Sequence, residues 1–472
     1  MSNVEEMQCD VVVIGAGVSG MIAGVRVSQG GRRVLVLEKL TEERYVCNSR
    51  LTTGVWHCGA MDILRDPGIL QSRIMEVTGN YARVDLAKAV ATDGVRSVRW
   101  MQKAGIRFIK GPFDYQTFML SPPSLTPQGR RWEGRGGDVM LRTLETELTR
   151  LGGRILRGHR AICLLKTGDR VSGLTGETAA GDSFSICAES VIIADGGFQA
   201  NEEFTRGSIS PKPEYVFQRN ARTGIGDGLK MARDIGAAVT DLRGFYGHVM
   251  SKDVFQIDKL WPYPYLDHVV GAGIVVDKTG ERFADEGLGG VAVANAIAAS
   301  DDPAGKIVIC DDRIWRECGT HRLLSPNPTL PDNGGTMYRA ESIGELAVLC
   351  GIEPERLIAL VDEYNAAVKA GATCELSVPR SLEKSKPYSI EIGPFYAFPA
   401  CAGITYTMGG ISINAAGQAL TSEGSAVPGL YAVGCATGGL EGGEKGGYVG
   451  GLVKSSVTGL RAAEHILGEL QS

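Results

Sequence analysis

A short apolar run, Asp10-Val-Val-Val-Ile14, leads straight into Gly15-Ala-Gly17-Val-Ser-Gly20, and a second run, Arg33-Val-Leu-Val-Leu37, ends on Glu38. Strand, glycine turn, helix, strand and terminal acid in this order form the βαβ unit that binds a dinucleotide. Gly15 allows the chain to turn sharply off the strand. Gly17, with no Cβ, lets a pyrophosphate approach the backbone at the helix N-terminus, where free N–H groups and the helix dipole favour anions. Gly20 permits close packing of helix on strand. Met21–Val27 carries the helical pattern, and Glu38, 18 positions beyond Gly20, is placed to accept from both hydroxyls of an adenosine ribose.

The rest of the composition narrows the class. At 472 residues the chain has room for two or three domains and a large core. A formal net charge of -5 without a basic block argues against nucleic acid as a partner. No apolar run approaches the ~20 residues that span a bilayer. The first residues, Met-Ser-Asn-Val-Glu-Glu, lack the basic and apolar regions of a signal peptide. The 11 Cys are odd in number and form no C-x-x-C pair, which speaks for reduced thiols in the cytoplasm. His57, His159, His248, His268, His321 and His465 show no metal-ligand spacing, so no metal is expected.

Along the chain, helices are predicted over 84–104, 138–151, 229–235, 353–370 and 451–467. A meander is predicted over 154–187, followed by a buried strand Ser190–Ala194. Residues 111–137 read as a long loop holding Tyr115, Arg130, Arg131, Trp132 and Arg135, and long loops inside compact proteins are often functional. From about 241 to 400 the texture changes, with an aromatic and proline cluster at Trp261-Pro-Tyr263-Pro-Tyr265. The expected organisation is α/β: a Rossmann-like nucleotide-binding domain made of 1–240 and 401–472, with an inserted α+β capping domain, 241–400, closing over the carboxyl ends of its strands.

Several motifs in order extend the pattern: Gly15–Gly20 with Glu38; Asn48-Ser49-Arg50 with Gly54; Ala194-Asp-Gly-Gly-Phe198; Gly224–Gly228; Gly280-Glu-Arg-Phe283 with Asp285-Glu286; Thr407-Met-Gly-Gly410; and Pro428-Gly-Leu-Tyr-Ala-Val-Gly434 with Gly438-Gly439. In this order the chain resembles the flavoproteins of the fumarate reductase, succinate dehydrogenase and 3-ketosteroid dehydrogenase type. The resemblance implies bound FAD. It assigns the first turn (Gly15, Gly17, Val18, Ser19, Gly20), the acid end (Glu38, Lys39) and the following loop (Asn48, Ser49, Arg50, Thr53, Gly54) to the cofactor. Further contacts are implied at Ala194, Asp195, Gly196 and Asp227, at Gly434, Cys435 and Gly439, and at Gly451, Leu452 and Val453. The helix starting near Gly451 would aim its N-terminus at the flavin N1–C2=O edge. The nearest candidate for a covalent flavin link, His57, lies past the usual position, so non-covalent FAD is expected. Cys435 stands where many relatives carry Glu.

The resemblance also locates departures. The proton-delivering Arg of fumarate reductases falls near Gly290, the His before Thr-Met-Gly-Gly is Tyr406, and a carboxylate-clamping Arg falls at about Tyr448. A C4 dicarboxylate would be buried with unpaired charges, which is expensive, and fumarate and succinate are excluded on that ground. Tyr448-Val-Gly450-Gly451 is instead similar to the Tyr-x-Ser-Gly segment of ketosteroid Δ4-dehydrogenases. The function implied is FAD-dependent α,β-desaturation of a ketone or keto acid, cyclic and steroid-like or cyclohexanone-like: a proton leaves the carbon α to the carbonyl and a hydride passes to flavin N5. Tyr448 or Tyr406 would supply the base or the donor to the enolate oxygen. His57, beside the Gly54 loop, is a third candidate, Lys445 is placed near the flavin edge, and the arginines of the 111–137 loop are candidates for a substrate carboxylate. The Trp261–Tyr265 cluster reads as a substrate lid or as cap core.

No second GxGxxG is present, so electrons are expected to pass to or from an external carrier such as a quinone, another flavoprotein, oxygen or a dye. Two alternatives stay open: reduction of an enone or enoate by an external donor, and a flavin electron carrier without substrate chemistry.

Overall fold

The computed structural model describes residues 5–124, 132–321 and 325–468. Its central sheet is built from five parallel strands in the order Ala426–Ala432, Ser183–Ile193, Glu5–Ile14, Val34–Glu38 and Arg154–Arg157. Val11 to Val13 and Val34 to Leu37 are buried, as continuous apolar runs must be when helices cover both sheet faces. Helix Val18–Gln29 crosses between the first two strands and packs against Gly451–Ile466 and Gly136–Arg150.

The predicted helices form over Val84–Lys103, Gly136–Arg150, Asp227–Asp234, Pro354–Ala370 and Gly451–Ile466. The meander differs from expectation. Arg154–Arg157 joins the parallel sheet beside Val34–Glu38, because Gly158, at φ +67, ends it and starts a new direction. The antiparallel meander is therefore His159–Thr167, Arg170–Thr178 and Ser183–Ile193. The last of these continues into the parallel sheet, so the strand expected over Ser190–Ala194 is the inner half of a longer one. The 111–137 segment is not all loop: Phe118–Leu120 pairs with Val55–Trp56 and Phe108–Ile109. Arg130 and Arg131 lie outside the described residues.

A second sheet is organised around the long strand Phe395–Thr407. It pairs with Val216–Gln218, Phe245–Ser251, Lys306–Asp311 and Tyr338–Ala340, and Ile274–Asp277 adds an edge. The chain thus leaves the central sheet after Ile193 and rejoins it at the antiparallel edge strand Gln418–Leu420, which pairs with Ala426–Ala432. At the junction the Phe198 N–H donates to Thr407 Oγ1 (3.3 Å), which ties the end of the long strand to the turn after Ile193. Among the described residues no helix is long and apolar enough to cross a membrane.

Candidate active site

Two cavities meet between the sheets. The first, about 110 Å³, lies over the glycine turn at the carboxyl ends of the parallel strands. The second, about 300 Å³, lies under the second sheet. They share Val18, Asn48, Ser49, Cys435 and Ser455, so they form one elongated channel.

The first cavity fits a dinucleotide. A Cβ at Gly15 would lie 2.6 Å from Ala194 O, and one at Gly20 would lie 2.1 Å from Gly15 O, so both glycines are demanded by protein packing. Gly17 is different: its Cβ would meet nothing nearer than Ser49 Oγ at 3.4 Å, and its φ of -71 is open to any residue. A glycine that packing does not require, on a cavity wall at a helix N-terminus, is a cradle for a closely approaching ligand. Ser49 Oγ accepts from Val18 N–H (2.9 Å), leaving the next turn of N–H groups for an anion. Glu38 lines the cavity, takes Leu40 N–H on Oε1 (3.0 Å), and is raised by burial above the usual carboxylate range. Asp195 is pushed up to about 6 by burial, with Gly228 N–H on Oδ2 (2.7 Å) and Oδ1 buried without a partner. Lys39 bridges to Thr223 O (2.6 Å), and Asp227 is held by Arg160 (2.7 Å) at the rim.

The positions expected from sequence sort as follows. Gly15, Gly17, Val18, Ser19, Glu38 and Lys39 line the first cavity, as do Ala194, Asp195, Gly196 and Asp227; Asn48, Ser49 and Cys435 line both. Thr53, Gly451 and Leu452 line the second. Arg50 lines neither: it is fully buried against Asp138, with its guanidinium over Tyr45 and Trp132, and holds the helix Gly136–Arg150 in place. Gly20, Gly54, Gly434 and Gly439 are packing or turn positions; a Cβ at Gly434 would lie 2.5 Å from Ser19 Oγ, and Gly439 O accepts from Arg83 N–H. Val453 is core. Arg135 lines neither cavity. Lys445 does not line the channel either; it pairs with Glu383 (2.6 Å), and the buried lysine of this region is Lys454, on the first turn of the final helix and paired with Glu441 (3.1 Å).

The second cavity brings together Tyr448, Tyr406 and His57, and adds residues that sequence reasoning missed: Tyr246, His248 and Arg219. Tyr263 and Tyr265 of the aromatic cluster line it, while Trp261 both lines it and packs into a small core with Phe217 and Met250. Tyr246 stacks on Tyr448 (centroids 3.9 Å, interplanar 14°) and the two hydroxyls interact. His248 Nε2 lies 3.2 Å from the Tyr246 hydroxyl, and Nδ1 lies 2.7 Å from Asp267 Oδ2. Asp267 Oδ1 accepts from Val249 N–H (2.9 Å). Both carboxylate oxygens accept, so Nδ1 carries the histidine proton and Nε2 accepts from Tyr246. His57 stands edge-on to Tyr448 (5.5 Å), its Nδ1 accepting from Ala60 N–H (3.2 Å).

Beneath the tyrosines lies Glu441, which no local motif announced. It is fully buried and accepts from Val449 N–H and Gly450 N–H (3.0 Å each), the Tyr406 hydroxyl (3.1 Å) and Lys454 Nζ (3.1 Å). It therefore fixes the strained turn at Gly450 (φ 145), which sets the N-terminus of Gly451–Ile466 against the cavity. Burial, then Glu441, hold the Tyr406 hydroxyl well above the usual range for a phenol; burial, Tyr246 and Glu441 do the same to Tyr448. Burial pushes Tyr246 up to about 12. Burial alone would lower the Lys454 ammonium, but Glu441 outweighs it and the net shift is upward.

The sequence matches the family described as FAD binding domain over residues 10–450. It is 25% identical over 446 residues to a fumarate reductase (cytochrome) of Shewanella frigidimarina, covering 91% of this chain and 72% of that protein. It is 24% identical over 516 residues to 4-oxocyclohexanecarboxylate 2-dehydrogenase of Sinomonas cyclohexanicum, covering 91% and 87%. The fold superposes on 3-ketosteroid-delta4-(5alpha)-dehydrogenase of Rhodococcus jostii RHA1 with a TM-score of 0.72 at 20% identity, covering 98% of each chain. The chain belongs to the FAD binding domain family and is an FAD-dependent oxidoreductase acting on CH–CH bonds.

Proposed function

We propose that this enzyme desaturates a ketone, or an acid bearing a ketone, between the carbons α and β to the carbonyl, with Tyr448 as the group that takes the α proton. The observation that carries the reading is the row Tyr448–Tyr246–His248–Asp267 along one cavity wall. A phenol held well above its ordinary pKa is a poor base by itself. It becomes an effective one when its own proton has somewhere to go. As the α proton arrives on the Tyr448 oxygen, the Tyr448 proton passes to Tyr246 and the Tyr246 proton to His248 Nε2, leaving an imidazolium beside Asp267. Tyr406 keeps its proton and donates a hydrogen bond to Glu441, so its role is positioning rather than proton transfer. The N–H groups at the start of Gly451–Ile466 lie at the cavity, that of Gly451 toward the Tyr448 hydroxyl, and stabilise negative charge there. The residues of the first cavity would hold FAD non-covalently, and it would supply the acceptor for the hydride that leaves the β carbon with the C–H electron pair as the α proton goes to Tyr448. Residues 241–400 act as the cap that excludes water, and a separate carrier exchanges electrons with the flavin. The free thiols support a reducing, cytoplasmic setting.

Geometry also supports the exclusion of dicarboxylates. A Cβ at Gly290 would lie 2.0 Å from Asp267 Cγ, so the room an arginine would need there is taken by the carboxylate that orients His248. Tyr448→Phe is expected to lower turnover by at least ~100-fold at unchanged FAD content. Unchanged turnover would overturn the assignment.

A further inference from the structure

Among the described residues, the walls of the second cavity carry one fixed charge: Arg219 is the only arginine lining the space, and no described Asp, Glu or Lys lines it. Arg219 follows the strand Val216–Gln218, its main chain pinned by a hydrogen bond from its N–H to Ile404 O (2.8 Å). All its side-chain partners are neutral: Nη1 donates to Thr405 Oγ1 (3.0 Å), Nη2 to Pro262 O (3.3 Å), and the guanidinium lies 5.7 Å from the Tyr263 ring centroid. Its Nε is buried with no hydrogen-bond partner. The acids deeper in the wall are already committed, Asp267 to His248 and Val249, and Glu441 to Tyr406, Lys454 and two backbone N–H groups. No ion pair joins Arg219 to an acid among the described residues.

A guanidinium on a largely apolar, aromatic wall is unfavourable without a counter-ion, and its fork of donors matches a carboxylate. Packing gives no reason for a cation here. Thr405 and Tyr406 are consecutive in one strand, so the Arg219 contact and the tyrosine machinery border the same space. Tyr246, in that machinery, feels the Arg219 charge directly.

We propose that Arg219 anchors a carboxylate of the substrate, which makes the substrate a monocarboxylate: an oxo acid with its carboxylate at Arg219 and its ketone at the Tyr448 side. The inference rests on the desaturase reading for the ketone, and on Arg219 alone for the carboxylate. Among the described residues, one fixed cation accounts for one carboxylate, in keeping with the loss of the dicarboxylate-binding positions.

The test is ligand binding to the FAD-loaded enzyme, followed by calorimetry and by perturbation of the flavin visible spectrum, so no turnover is needed. The probes are acetate, benzoate and cyclohexanecarboxylate, each against its methyl ester, with cyclohexanone as the neutral ketone. At least one carboxylate is expected to bind the wild type at least ~10-fold tighter than its ester. Arg219→Gln is expected to erase that difference, Arg219→Lys to restore part of it, and both to leave cyclohexanone affinity within about threefold. The proposal is overturned if none of the three carboxylates binds, if the esters bind as well as the acids, or if Arg219→Gln weakens cyclohexanone as much as the carboxylates. The ester comparison in the wild type stands even if the variants fail to fold. Arg219-dependent carboxylate binding, combined with no flavin reduction by any oxo acid, would sink the desaturase reading and leave the carboxylate site standing.

Discussion

Glu441→Ala removes one carboxylate and strands four groups at once. Lys454 Nζ, 1% exposed, would keep only Thr437 O at 3.3 Å; the Val449 and Gly450 N–H groups and the Tyr406 hydroxyl would lose their acceptor. Breaking a buried pair by deleting one partner costs about 3–5 kcal/mol, mostly because a charge is left buried and alone. That is the expected loss here, with fraying of the turn at Gly450 and weaker FAD retention. Glu441→Gln combined with Lys454→Met is expected to cost less, about 1–2 kcal/mol, because Gln Oε1 still accepts from the two backbone N–H groups and no charge remains. The assay is urea unfolding of the FAD-loaded protein, followed together by far-ultraviolet circular dichroism and flavin fluorescence, with coincident transitions required before free energies are compared. A cost below ~1 kcal/mol for Glu441→Ala, or a double variant less stable than the single one, would refute the argument.

Gly17→Ala is expected to leave the apoprotein's stability within about 0.5 kcal/mol, because the new Cβ meets nothing closer than 3.4 Å, yet to weaken FAD binding at least ~10-fold; equilibrium binding and thermal melts of the apoprotein check both, and full affinity would mean no close ligand approach at that turn. For proton transfer, burial holds the Tyr448 hydroxyl well above the usual phenol range and pushes Tyr246 up to about 12, so neither ionises by itself at neutral or mildly alkaline pH, and the wild-type rate is expected to stay flat between ~pH 8 and ~pH 9 because the proton leaves through the row to His248. The groups facing His248 are Asp267, Tyr246 and Tyr265, with Arg219, Tyr263 and Tyr448 around them. His248→Asn is expected to lower the rate by about 10²-fold or more and to replace the plateau by a rate still climbing at pH 9, since Tyr448 must then lose its proton to solvent; a plateau like the wild type's would rule out the relay.

The nucleotide cavity was legible because its chemistry is local. Gly15, Gly17 and Glu38 belong to one βαβ unit, and their roles follow from turn geometry within about thirty residues. The tyrosine pair was legible only through the resemblance. The rest of the second cavity was not, because it is assembled across the chain. Tyr246 and His248 share a strand face, but Asp267 reaches them from a later helix and Arg219 from just past a strand of three residues. Glu441 lies in a glycine-rich stretch that reads as loop, and its donors are backbone N–H groups that no spacing announces. The resemblance pointed to Lys445, but the helical repeat decides: Lys454, one turn into the final helix, faces inward, while Lys445 leans to Glu383. Arg50 looked like a cofactor contact because it follows Asn48 and Ser49; the turn into the helix Asn48–Leu51 sends it instead to Asp138.

The most direct test of the central claim is the anaerobic visible spectrum of the FAD-loaded enzyme mixed in turn with ring ketones, ring oxo acids and succinate. Bleaching of the flavin band by a ring ketone or oxo acid, slowed by at least ~100-fold in Tyr448→Phe and absent with succinate, is the predicted result. Bleaching by succinate, or reduction by a ketone at the same rate in Tyr448→Phe, would contradict it.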